Sequence, residues 1–449
     1  MVSCVSAQDD ASGHFRFSGP LSQLMAEGSK AAPVANGLPF SILITEGGAK
    51  VTLVSGNLKI PGATGPLTLT LDGLKYAGGN VMGSARLANA TGSPVEGTRL
   101  DISGATEEYK AKDEKGNITV KTRHLAVGLP SSLFFGDLGA GEDFDTLPLS
   151  AGRISFTPDT NQITVNGVVS GLRYAGAFDV KDLGAPSAVD TDAQGRIYIG
   201  DVNGQRIVRT NSQGRNVEVL AKLEDQLQGM AVNSKTGDLA ATRINSKAVY
   251  MFSNAGAPKG SFEFDGYVSV LRFDRQGTLY GSQGHVWRFS SQKAALDIGE
   301  VAAVELSARG IDVDAAGNIW IVSGLEQDRH LFRVDSTGKK GVRVASGPGW
   351  KPGRLYVPQT VRIDAAGNAY VVELGDNKEA ARISVFSKDG GFIRVFGRGG
   401  KTPPPEDKVL VGQLWRPADL AFGPDGKLYV ACENDSAFST HLMLIFQPF

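Results

Sequence analysis

The chain has 449 residues, room for two or three domains, and its 46 Lys and Arg balance 47 Asp and Glu, so no charge excess points to nucleic acid or to an acidic membrane surface. Cys4 and Cys432 are too few for a disulfide framework, and no apolar run reaches the length of a membrane helix. The 57 Gly and 20 Pro suit many short strands joined by tight turns.

Residues 1–7, "MVSCVSA", read as the remnant of a signal peptide or as a disordered start. Val5 and Ala7 are the small residues that a signal peptidase site places three and one before its cut. A second reading takes "VSC" as a partial lipobox with Cys4 lipidated. The chain is therefore expected to be exported, to the periplasm, the cell surface or the medium.

Residues 8–175 alternate short apolar segments with Gly, Asn, Asp and Pro, as in "FSILITEG", "LTLTLDGLKYAG", "RLDISG", "NITVKTR" and "ITVNGVVSG". That spacing predicts an antiparallel β-sandwich. The stretch from Val81 to Gly171, with "RLANATGSPVEGTRLDIS" and "LFFGDLGAGEDFDTLPLS", resembles the immunoglobulin-like domains of bacterial surface proteins. It lacks the Cys-Trp-Cys core of an antibody-type domain.

Residues 176–449 carry six copies of one pattern, an apolar strand, an Asp-x-x-Gly-type turn and a second apolar strand, as in "AVDTDAQGRIYIGD", "IDVDAAGNIWIVS" and "VRIDAAGNAYVVE". The turn glycines at 195, 237, 277, 317, 367 and 426 lie 42, 40, 40, 50 and 59 residues apart. Repeats of this length, each worth a few strands, predict propeller blades. "GRIYIGDVNGQRIVRTNSQGR" and "GNAYVVELGDNKEAARISVFSKDGGFIRVFG" resemble the NHL family of six-bladed β-propellers, and the likeness extends over all six copies. The fold class expected for the whole chain is all-β, an immunoglobulin-like sandwich followed by a six-bladed propeller. The sixth blade has only three strands after Arg416, so residues about 176–180 are expected to supply its fourth and close the ring.

Antiparallel order sorts residues by face. Six positions beyond each turn glycine stand Asp201, Arg243, Gln283, Ser323, Glu373 and Cys432, on the face of the inter-blade loops. Insertions at 345–359 and 397–417 add Trp350, Lys351, Arg354, Arg398, Lys401, Trp415 and Arg416 to that rim, which suits a protein or polysaccharide partner at the cell surface. Local pairing, Asp201 with Arg206 and Glu373 with Arg382, is the competing reading of the charged positions.

His285, His330 and His441 begin third strands, about 10 Å outside the innermost ones, too far apart to share one metal ion. No HExxH, phosphate loop or nucleophile elbow is present. The expectation is an exported binding or scaffold protein without a cofactor. The alternative follows from the resemblance, because related six-bladed propellers include lactonases and lyases that hold calcium or another divalent ion at the channel mouth. Asp201, Glu373 and Glu433 are the carboxylates available for such a metal-dependent hydrolase or lyase.

Overall fold

The computed structural model describes residues 19–449 except 33, 35, 46–51, 54–56, 78–79, 126–131, 143–146, 154–159, 181, 265, 291–293, 298–307, 325–328, 339, 346, 375–380, 398–413, 415 and 433–441. The fold is all-β apart from one four-residue helix, Leu21–Leu24, among the described residues. Two compact units divide the chain between Tyr174 and Ala175, with two exceptions. Ala26–Ala32 belongs to the second unit and Pro448–Phe449 to the first.

In the first unit, strands Asn57–Leu58, Leu67–Ala77, Asn80–Asn89 and Leu147–Arg153 form one antiparallel sheet. A second is built on Val95–Lys112 and Thr160–Asp179, with Leu38–Thr45 and Ser132–Leu138 beside them. Leu67, Leu69, Ala85 and Leu87 of the first sheet share one buried cluster with Leu100, Ile102, Phe135, Ile163 and Val165 of the second. Alternate residues of both sheets thus fill a single core, which is a sandwich arrangement. Among the described residues strand Ile118–Leu125 pairs only with Val95–Lys112, and it is exposed almost throughout.

The second unit is a succession of four-stranded antiparallel meanders. Their innermost strands are Pro186–Thr191, Leu227–Val232, Val270–Phe273, Ala308–Val313, Pro358–Ile363 and Pro417–Phe422. Each of these touches the next, and the last returns to the first, so the sheets stand in a closed ring. This is a propeller-like fold. The sheet begun by Pro417–Phe422 continues through Leu428–Cys432 and Leu442–Pro448 to Thr160–Asp179, whose residues from Ala175 onward lie in this unit. Phe178 and Val180 pack in the same cluster as Met443 and Ile445.

Local chemistry explains why the copies repeat. Asp192 Oδ1 accepts the backbone N–H of both Gln194 and Arg196 at 3.0 Å, and Gly195 completes the turn at φ +74°, where a side chain would be strained. Asp274, Asp314 and Asp364 make the same pairs of bonds. The aromatics of the second strands are buried. Tyr198 Oη and Trp320 Nε1 donate to the turn carboxylates of Asp192 and Asp314, and Tyr370 meets Phe422 of the next sheet edge-on at 4.9 Å. Close approach of neighbouring inner strands requires glycine at Gly310, where a Cβ would stand 2.5 Å from the Thr360 Cα.

Ala26–Ala32 lies along the outer strand of the fifth meander, Phe392–Phe396. Ala32 N donates to Phe392 O at 2.9 Å, Phe392 N donates to Lys30 O at 2.7 Å, and Ala26 N reaches Pro352 O at 3.0 Å. A strand edge that would otherwise be open is thereby covered.

Candidate functional site

Each innermost strand starts on the face where each second strand ends, as the pairing of Pro186 with Asp201 and of Pro358 with Glu373 shows. Near those starts the register slips by one residue. Pro186 faces Asp201 and Ala188 faces Gly200, which leaves Ser187 as the extra residue of a β-bulge. Gln228, Arg309, Gln359 and Ala418 are set aside in the same way, and Ser269 and Val270 both face Ser282. All seven of these residues line a cavity of about 460 Å³ at the mouth of the ring. The bulges re-aim one side chain per sheet into it. Gln283 and Leu374, from second-strand ends, join the wall, and Gln228 Nε2 donates to Gln283 Oε1 at 3.5 Å.

Below the bulges lies a buried network of charge. Arg272 Nη2 donates to Asp419 Oδ1 at 2.8 Å and to Thr360 Oγ1 at 3.2 Å, and these three residues also line the cavity. Arg362 Nη2 donates to Asp190 Oδ1 at 2.7 Å, with Asp312 Oδ2 3.7 Å from its Nε. Backbone N–H groups of neighbouring sheets donate to the same carboxylates, Val232 to Asp190 Oδ2 at 2.9 Å, Ile363 to Asp312 Oδ2 at 2.7 Å and Val189 to Asp419 Oδ2 at 3.2 Å. Burial would lower the pKa of Arg362, but Asp190, Asp312 and Asp419 outweigh it and raise the value further. Burial, reinforced by the charge of Arg362, lowers that of Arg272. Burial also raises that of Asp312, against the pull of Arg362 and Arg272.

Of the residues singled out in the sequence, Gln283 alone among those described lines this cavity. Asp201 is buried, with Oδ1 accepting the N–H groups of Gly184, Ala185 and Gly204 at 2.8–3.0 Å and Oδ2 paired to Arg206 Nε at 2.9 Å. Glu373, also buried, is held by Arg382 Nε at 2.9 Å, Arg382 Nη2 at 3.0 Å, Ser384 Oγ at 2.5 Å and the Tyr356 N–H at 2.5 Å. Each carboxylate serves its own sheet. Among the described residues no three of His, Cys, Asp and Glu gather as a metal centre, and Glu433 lies outside those residues.

The rim residues differ in their surroundings. Trp350 is half-buried, its ring between Tyr356, centroids 4.3 Å apart, and the Arg382 guanidinium, 4.6 Å away. Arg382 also donates to the carbonyls of Gly349, Trp350 and Arg354, so the insertion is pinned from beneath. Arg243 stacks on Tyr250 and pairs with Glu224 at 2.8 Å. Lys351 and Arg416 are exposed and Arg354 is half-buried, while Arg398, Lys401 and Trp415 lie outside the described residues. The bulge residues and the charge network were missed. A signal existed, because Asp190, Arg272, Asp312 and Arg362 all stand two residues before the turn Asp in otherwise apolar strands.

No family model matches the chain, and no curated protein does. Among solved structures it is similar to a streptogramin B lyase at 12% identity, covering 91% of this chain and 98% of that one with a TM-score of 0.41. A gluconolactonase from Xanthomonas campestris is 14% identical over 62% of this chain and 90% of its own, TM-score 0.43. Regucalcin, a calcium-binding protein from Agrobacterium tumefaciens, is 15% identical over 61% and 93%, TM-score 0.44. The meanders and the closed ring of inner strands, independently of these likenesses, define the class as a β-propeller.

Proposed function

We propose that the chain is an exported binding protein, a six-bladed propeller of NHL type joined to an immunoglobulin-like sandwich, which takes a protein or polysaccharide partner at the cell surface through the mouth of the ring. The observation that carries this reading is the bulge in the inner strands, which gives the mouth a wall of Ser, Gln and Arg side chains. A rigid scaffold with a concave, mixed polar and apolar mouth is the usual setting for a recognition site. The metal-dependent hydrolase or lyase fits the side chains less well. Asp201 and Glu373 have their oxygens engaged by backbone N–H groups and by arginines, and ligation of a hard cation would have to break those bonds.

The test is a Gln228→Trp change, which fills the mouth from a half-buried wall position. Binding to a panel of surface polysaccharides and proteins is expected to fall at least tenfold while the melting temperature stays within about 2 °C, as for a surface substitution. Undiminished binding with the mouth blocked would remove the site from this face. Hydrolysis or elimination that stops with chelator would establish the enzyme instead.

A further inference from the structure

We infer that the mouth cavity takes a carboxylate-bearing, sugar-sized group, a uronic acid unit being the matching chemistry; this rests on the binding reading above and specifies what enters. The argument is a balance of donors and acceptors. Asp419, the sole carboxylate of the lining among the described residues, is spent, with Oδ1 on Arg272 and Oδ2 on the Val189 N–H. Donors are left over. Arg272 is 3% exposed, and its Nε has no hydrogen-bond partner among the described residues. Gln359 Nε2 is likewise buried without one, as is the Ser187 hydroxyl, which can donate or accept.

Arg309 adds a second guanidinium in the wall, exposed and with no ion pair among the described residues. Buried donors without acceptors are costly, and a ligand that brings acceptors removes that cost on binding. A carboxylate answers a guanidinium fork with two oxygens in one plane.

The rest of the wall limits the size and character of the group. At about 460 Å³ the cavity holds one small molecule. Gln228, Gln283 and Ser269 offer amides and a hydroxyl to ligand hydroxyls, while Met230, Val270 and Leu374 offer an apolar face to ring carbons. A hydroxylated ring with one carboxylate meets each of these surfaces. A cationic sugar would set its charge against Arg309 and Arg272.

Calorimetric titration of the full chain with glucuronate, glucose, glucosamine and inorganic phosphate tests the inference, because the three sugars differ chiefly in charge. Glucuronate is expected to bind saturably, glucose at least tenfold more weakly and glucosamine not at all. Arg309→Gln, at an exposed position outside the buried pairs, should weaken glucuronate at least tenfold with the melting temperature unchanged, and Ser187→Ala should weaken it a few-fold. Glucose binding as tightly as glucuronate, indifference to Arg309→Gln, phosphate binding as tightly as glucuronate, or no binding of glucuronate would each overturn the assignment. Tight glucose binding that Gln228→Trp abolishes would sink the carboxylate and leave the mouth as the binding site. Polysaccharide binding that survives Gln228→Trp would sink both.

Discussion

Arg272 and Asp419 stand 147 positions apart in sequence and meet at 2.8 Å inside the ring, one from the third inner strand and one from the sixth. Both are buried. Their contact joins sheets that are not neighbours, so it ties the ring across its middle rather than along its circumference.

Breaking that pair from one side should be expensive. Arg272→Met leaves the Asp419 carboxylate buried and unpaired, and chemical denaturation should show a loss of about 3–5 kcal/mol. Adding Asp419→Leu should recover most of it, since both charges are then gone. Additive losses in the double variant would mean that the pair is not coupled as the geometry indicates.

Asp201 makes stability depend on acid. Burial works to raise its pKa, but the N–H groups of Gly184, Ala185 and Gly204, together with Arg206, outweigh it and hold the value below the ordinary 3.8. A folded value below the unfolded one means that this contribution is fully present above pH 3.8 and is lost as pH falls through the folded value. Asp201→Asn should therefore lower the melting temperature at pH 7 and flatten its decline as the pH falls below about 4. Parallel curves for the two proteins would assign the acid response to other groups.

Arg382 is the peg beneath the 345–359 insertion. Its replacement by Ala frees Glu373 Oε1 and Oε2 from their cation and leaves the carbonyls of Gly349, Trp350 and Arg354 without that donor. Loss of a buried charge partner costs about 3–5 kcal/mol. Hydrogen exchange should accelerate first at Gly349–Tyr356, before the inner strands open. Uniform acceleration would show the insertion to be an integral part of the ring.

Two shortened chains test the sixth meander. One starting at Gly171 keeps the residues from Ala175 that complete the sheet, and one starting at Ala185 loses them and bares the edge of Leu442–Pro448. Both lack Ala26–Ala32, so that loss is common to them. The shorter chain should melt several degrees lower and aggregate more readily; equal melting would exclude a stabilising role for that strand.

Much of the ring was legible because its repeat is written in local chemistry. Asp192, Asp314 and Asp364 bond N–H groups two and four residues on, so each turn declares itself within five residues. Antiparallel order then placed Gln283 on the right face. The mouth itself was hidden by the bulges. Strict alternation turns the wrong residue inward once the register slips, and nothing in "PSAV" or "PQTV" announces that Ser187 and Gln359 are set aside. The charge network was hidden by distance, since Arg362 finds Asp190 172 positions away. The packing of Trp350 was not legible because its loop was read alone, whereas Arg382, which stacks on it, comes from a later strand.

The hold of Ala26–Ala32 on Phe392 has a consequence for how the chain is made. Residues 26–32 precede Phe392 in the chain with the first four meanders between them, so this segment has no seat until Phe392–Phe396 has been made, and the residues from Ala175 onward wait likewise for Leu442–Pro448. The propeller can then lock only after its fifth and sixth sheets have both been made, so its closure is a late, long-range step that the earlier meanders must await.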